Sequence, residues 1–169
     1  YVTGNLGDSF IGLQILKKKI NINKKVNSYF VKKYYQPDIQ IKLVKKILNF
    51  ANSSIDISDG LIADMDKMIN NQFYSYHIDI DKVPISKHLL TLLKNSMLKK
   101  SNLISNGDDY QILFTASRNK SRIIEKTSLI HGIKITRIGK IISGNKKVSV
   151  IDQKGKQILF KNKGYIHQF

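Results

Sequence analysis

At 169 residues and 41% hydrophobic content the chain is long enough for one compact domain, which buries roughly 70% of the surface its unfolded form exposes. It has no cysteine, which excludes disulfide frameworks and thiolate metal sites, and no apolar run approaches a membrane span or a secretory leader, so a cytoplasmic protein with no membrane partner is expected. The net charge of +17 comes mostly from scattered lysines, and the only arginines are Arg118, Arg122 and Arg137; since arginine is the usual bidentate reader of phosphates and bases, no nucleic-acid partner is expected.

Tyr1-Val2-Thr3 reads as the end of a strand, so further chain is expected upstream. A glycine turn then opens a helix on which Phe10, Leu13, Leu16 and Ile20 recur at helical spacing, running to about residue 19. Helices are predicted over 26–35 and 39–50, separated by Pro37. Residues 54–58 alternate as a short strand, and Asp59-Gly60 turns it into a helix to about residue 68. Residues 74–80 alternate again, Pro84 and Ser86 open a helix to about residue 98, and 99–107 reads as a polar loop. A strand over 110–115 and a helix over 120–129 follow. The β-branched tail from Ile133 is expected to fold into a hairpin at Ser143-Gly144-Asn145. The predicted fold class is α/β (α+β): a mixed β-sheet with helices packed on it, in a single domain spanning 1–169.

Only 12 residues are acidic, and eight of them fall between Asp56 and Asp109. In Ile55-Asp56-Ile57-Ser58-Asp59-Gly60-Leu61, strand alternation puts Asp56 and Ser58 on one face, with Ile55 and Ile57 toward the core. Asp59 sits at the turn, where Gly60 permits a close approach. Two readings stand side by side. Short aspartates beside a glycine suit magnesium, which takes one or two carboxylates plus phosphate oxygens. Alternatively, Asp59 caps the helix and Asp56 is a solvated edge residue. Asn106-Gly107-Asp108-Asp109-Tyr110-Gln111 is either a second acidic loop facing a cation or an ordinary Asn-Gly-Asp turn. Asp64 and Asp66 are expected to face solvent from their helix, and Asp79 and Asp81 to belong to a half-buried strand. The four histidines lack ligand spacing, and neither a P-loop nor a G-x-S-x-G motif occurs.

Four segments in order resemble the thiamine-monophosphate kinase family of the aminoimidazole ribonucleotide synthetase-like superfamily. They are Val-Thr-Gly-Asn-Leu-Gly-Asp-Ser at 2–9, Ile-Asp-Ile-Ser-Asp-Gly-Leu at 55–61, Asn-Gly-Asp-Asp-Tyr-Gln-Ile-Leu-Phe at 106–114 and Gly-Tyr-Ile-His-Gln-Phe at 164–169. The resemblance implies a carboxyl-terminal domain whose amino-terminal partner, absent from this chain, supplies most nucleotide and magnesium ligands. It implies ATP- and Mg2+-dependent phosphorylation of thiamine monophosphate to thiamine diphosphate. It also implies a homodimer built mainly through the amino-terminal domain, and no activity for this chain alone. Position by position, Asp56 and Asp59 resemble magnesium ligands and Ser58 an ATP contact. Asp108 resembles the acidic residue that meets the thiamine end, and Tyr165 the aromatic that stacks near it. No residue is assigned as a general base, which a phosphate acceptor hardly requires. The sequence departs from the family pattern at Asn5 (usually threonine), Asn106 (glycine, where a positive φ is expected), Gln111 (glutamate) and Gln168 (an insertion). The alternatives are another ATP-using member of the superfamily and a non-catalytic basic binding module.

Overall fold

The computed structural model describes residues 1–70, 72–96, 98–144, 148–160 and 162–165. β1 (Val2–Thr3) leads through a glycine turn into α1 (Asp8–Leu16). This helix stops short of residue 19 because Lys18 adopts a left-handed backbone, φ 56°. α2 (Lys24–Tyr35) and α3 (Ile41–Ile47) follow, the latter shorter than its predicted span. β2 (Ala51–Asp56) then turns into α4 (Leu61–Met68), and β3 (Tyr74–Asp79) precedes α5 (Lys87–Lys94). Ser86 opens α5 as its sequence position suggests, its hydroxyl accepting from the Leu89 amide at 3.0 Å.

The stretch read as a polar loop contains α6 (Lys100–Ile104), whose Leu103 and Ile104 are buried. Two inward side chains suffice to order a helix too short to display an apolar period. β4 (Ile112–Ala116) starts later than predicted, because Tyr110 just before it is left-handed at φ 50°. α7 (Ser121–His131), β5 (Ile135–Thr136), β6 (Gly139–Ser143) and β7 (Ser149–Ile151) complete the order.

The α/β class holds, with the strands divided between two sheets. One is antiparallel, in the order β2-β4-β1-β5; the other runs β6-β3-β7, with β3 antiparallel to β6 and parallel to β7. β6 and β7 therefore do not form the expected hairpin: both pair with β3, which lies between them. Asn145 of the anticipated turn lies outside the described residues.

The main core joins the two sheets through Val2, Ile57, Leu61, Tyr76, Ile78 and Leu113. Ile57 is fully buried and Ile55 packs against this core, as strand alternation requires. A second cluster lies around Leu43, Phe50, Phe114 and Ile124, and a third gathers Ile11, Phe30, Leu89 and Leu103. Among the described residues no helix is long and apolar enough to cross a membrane.

Candidate functional site

β2 and β4 pair antiparallel with Asp56 opposite Ile112, so the turn after β2 and the loop before β4 emerge side by side. Backbone bonds continue the pairing beyond the strands. Ile57 N–H donates to Gln111 O at 2.8 Å, Tyr110 N–H to Ile57 O at 2.9 Å, and Asp108 N–H to Ser58 O at 3.0 Å. Glycine makes this approach possible: a Cβ on Gly107 would lie 1.7 Å from Ser58 O. Residues 163–165 close over the same turn, with Tyr165 N–H donating to Asp59 O at 2.9 Å and Ala63 N–H to Lys163 O at 3.1 Å. A Cβ on Gly164 would meet Asp59 O at 2.8 Å and the Ala63 Cβ at 2.3 Å.

The structure thus brings Asp56, Ser58, Asp59, Asp108 and Tyr165 into one neighbourhood. Asp56 is exposed at the end of β2, and Tyr165 is 66% exposed. Burial and the charge of Asp59 hold the Asp108 carboxyl above the usual carboxylate range. Burial also raises the Tyr110 phenol, reinforced by the charges of Asp108, Asp56 and Asp59. The backbone at Asp108 is left-handed, φ 68°, a conformation aspartate tolerates better than most residues. Asn106, whose tolerance of a positive φ suits its glycine position, is not left-handed; the left-handed positions of this loop are Asp108 and Tyr110.

Lys67 donates to the Asp59 carboxylate and, at 2.9 Å, to Asp64 Oδ1. These two bonds raise the Lys67 ammonium, the Asp59 bond contributing more. Among the described residues no group of three or more acidic, histidine or cysteine side chains is arranged to hold a metal ion. A cavity of about 540 Å³ between the sheets, lined in part by Ser53, Met68, Tyr74 and Arg137, lies at the other end of β2.

Three acidic residues differ from the sequence reading. Asp81, expected with Asp79 in a half-buried strand, is exposed in a 3-10 turn at Ile80–Lys82, because β3 ends at Asp79. Asp64, expected in solvent, is wholly buried, because its helical position faces inward with Leu61 and Met65. That spacing on the apolar face is the signal that could have identified it. Asp66 keeps a third of its side chain exposed (33%) while accepting from Tyr76 and Lys163, each at 2.8 Å.

Asp109 turns away from Asp108 to the start of α1, where Gly7 N–H donates to Oδ2 at 2.7 Å and Ser9 N–H to Oδ1 at 3.4 Å. Burial pushes its carboxyl up to about 8, opposed by the Gly7 amide and reinforced by the charge of Asp8. Gln111 is buried too, accepting from Thr3 Oγ1 at 3.0 Å and donating to Asp38 O at 3.0 Å, which ties the loop to β1.

The raised Asp109 carboxyl makes stability depend on pH. An unfolded aspartate titrates near ~4, so between about 4 and 8 the folded chain holds a proton that the unfolded chain releases. The associated stability is fully present below that window and is lost as pH rises through it, at up to about 1.4 kcal/mol per pH unit. Urea unfolding from about pH 5 to pH 8 is expected to show a declining midpoint for the wild type and a flatter one for Asp109→Asn. Equal slopes would contradict this.

No family model matches the chain. A thiamine-monophosphate kinase of Buchnera aphidicola subsp. Acyrthosiphon pisum is 37% identical over 171 residues, covering 99% of this chain and 51% of the relative. The chain spans about half the length of the curated relatives it matches, and the matched half is the carboxyl-terminal one. The solved complex of AaThiL with AMPPCP and TMP is 27% identical, covers 98% of this chain and 50% of that chain, and superimposes with a TM-score of 0.76. The hydrogenase maturation protein HypE of E. coli, 12% identical with a TM-score of 0.69, shares the fold alone.

Fold and loop geometry define a domain of the aminoimidazole ribonucleotide synthetase-like architecture. Over nearly all of its length, and half of theirs, the chain belongs to the thiamine-monophosphate kinase family.

Proposed function

We propose that the chain is the carboxyl-terminal half of a cytoplasmic, dimeric thiamine-monophosphate kinase. The whole protein transfers the terminal phosphoryl group of ATP to thiamine monophosphate, giving thiamine diphosphate. An amino-terminal half supplies most of the nucleotide ligands and the main dimer contacts. The observation that carries this reading is the joining of the two acidic loops beside Tyr165 in a chain whose full length matches such kinases.

Asp56 and Asp59 offer hard carboxylate oxygens, a donor set that suits magnesium. Lys67 already brings one cation to Asp59, evidence that this carboxylate accepts positive charge. Two carboxylates supply part of an ion's ligand shell, which fits an ion whose remaining positions are shared with phosphate oxygens. A bound magnesium ion would supply neutralisation of charge on the phosphates in transfer. Ser58 contacts the nucleotide from the same turn. Asp108 pairs with the cationic end of the thiamine substrate, and the exposed Tyr165 ring stacks near it.

Two results test this reading. The chain alone, incubated with ATP, magnesium and thiamine monophosphate, is expected to form no thiamine diphosphate above a no-enzyme control; product above control would overturn the need for a second half. The +17 charge is expected to give only weak DNA binding that fades at roughly 0.15–0.2 M salt. Sequence-selective binding that survives there would favour a nucleic-acid module instead.

A further inference from the structure

Asp64 is wholly buried, and its carboxylate is bonded through both oxygens. Oδ2 accepts from three consecutive backbone amides, Ser58 at 3.0 Å, Asp59 at 2.9 Å and Gly60 at 3.0 Å. Oδ1 accepts from Lys67 Nζ at 2.9 Å, and the same ammonium bonds the Asp59 carboxylate. A usual helix-capping side chain satisfies one or two orphan amides. Here one oxygen draws three successive N–H groups to a single point, which fixes the path of the turn rather than only the start of α4. The turn so fixed carries Ser58 and Asp59, and its outer edge accepts the Asp108 and Tyr165 amides.

We propose that Asp64 is the positioning residue of the candidate site. It sets the backbone of the 58–60 turn directly and, through Lys67, the direction of the Asp59 carboxylate. This rests on the reading of Asp59 as a ligand for a divalent cation. Asn at position 64 would keep one oxygen for the three amides, but its NH2 group would face the Lys67 ammonium, donor against donor. Lys67 would then lose its second anchor while the fold keeps its shape.

Mn2+ is the probe, with binding to the chain followed by electron paramagnetic resonance and folding checked by circular dichroism. Asp64→Asn is expected to stay folded and to weaken Mn2+ binding about tenfold or more, as second-layer partners of metal ligands do. Asp59→Asn should weaken binding as well, and Asp64→Asn/Asp59→Asn should be no weaker than Asp59→Asn alone, because Asp64 acts through Asp59. Wild-type affinity in Asp64→Asn, with binding weakened in Asp59→Asn, would overturn this inference and leave the Asp59 reading standing. Wild type and Asp59→Asn binding alike, or neither binding, would remove the Asp59 reading and the inference with it. Should Asp64→Asn fail to fold, hydrogen exchange of the wild-type chain decides: the Ser58, Asp59 and Gly60 amides should exchange slowly, and rapid exchange at all three would overturn the proposal.

Discussion

Gly107→Ala is expected to destabilise the chain by about 3 kcal/mol or more, beyond the usual range for overpacking. The added Cβ would lie 1.7 Å from Ser58 O, 2.5 Å from Ser58 C and 2.9 Å from Asp59 C. All three are backbone atoms, and none can swing aside as a side chain would. They are held in place by the Asp64 carboxylate on one side and by the Asp108 amide on the other. Either the acidic loops part, breaking the pairing that continues from β2 and β4, or the 58–60 turn unfolds. Urea unfolding monitored by circular dichroism measures the loss. A change below about 0.5 kcal/mol, typical of neutral surface substitutions, would mean that the loops are not in contact in solution.

The second large effect is expected on chemistry rather than stability. In an enzyme completed with an amino-terminal half, Asp59→Asn should leave folding intact, lower turnover at least about tenfold and raise the magnesium requirement. Tenfold corresponds to about 1.4 kcal/mol of lost transition-state stabilisation. A capping role would predict near-wild-type behaviour, since asparagine caps helices about as well as aspartate. The structure argues against that role. The residue preceding α4 is Gly60, and its start is served by Asp64, while the Asp59 carboxylate meets Lys67. Glu125→Gln, on the exposed face of α7, serves as the control for an unrelated lost charge. Full activity and an unchanged magnesium requirement in Asp59→Asn would remove Asp59 from the metal-binding set.

The sequence signals that held are local. Alternation through Ile55 and Ile57 marks β2 and its buried face, Ser86 marks the start of α5, and glycines mark the turns where backbone meets backbone. Features that depend on distant chain were hidden. The parallel pairing of β3 with β7 joins segments about seventy residues apart, as in His77 opposite Ser149, and no local pattern records it. α6 escaped notice because its five residues carry two inward side chains, too few to show a helical period.

The acidic loops were legible as candidates, but the division of labour within them was not. Asp108 and Asp109 are neighbours in sequence, yet one joins the candidate site while the other is buried against the first turn of α1. The backbone is left-handed at Asp108 and again at Tyr110, on either side of Asp109, and it is this turn of the chain that sends the two carboxylates apart. The burial of Asp64 is hidden from the sequence for a related reason. Its inward spacing was visible, but a buried carboxylate is credible only once three converging amides are known to meet it.

On the proposed reading these loops form half of a kinase site completed by a second domain. The most direct measurement is thiamine diphosphate formation by this chain combined with the amino-terminal half of the Buchnera aphidicola relative, supplied with ATP, magnesium and thiamine monophosphate. Product is expected that requires both halves and magnesium, and that falls at least about tenfold with Asp59→Asn. Product formed at equal rate with Asp59→Asn, or a folded two-half complex that makes none from thiamine monophosphate, would contradict it.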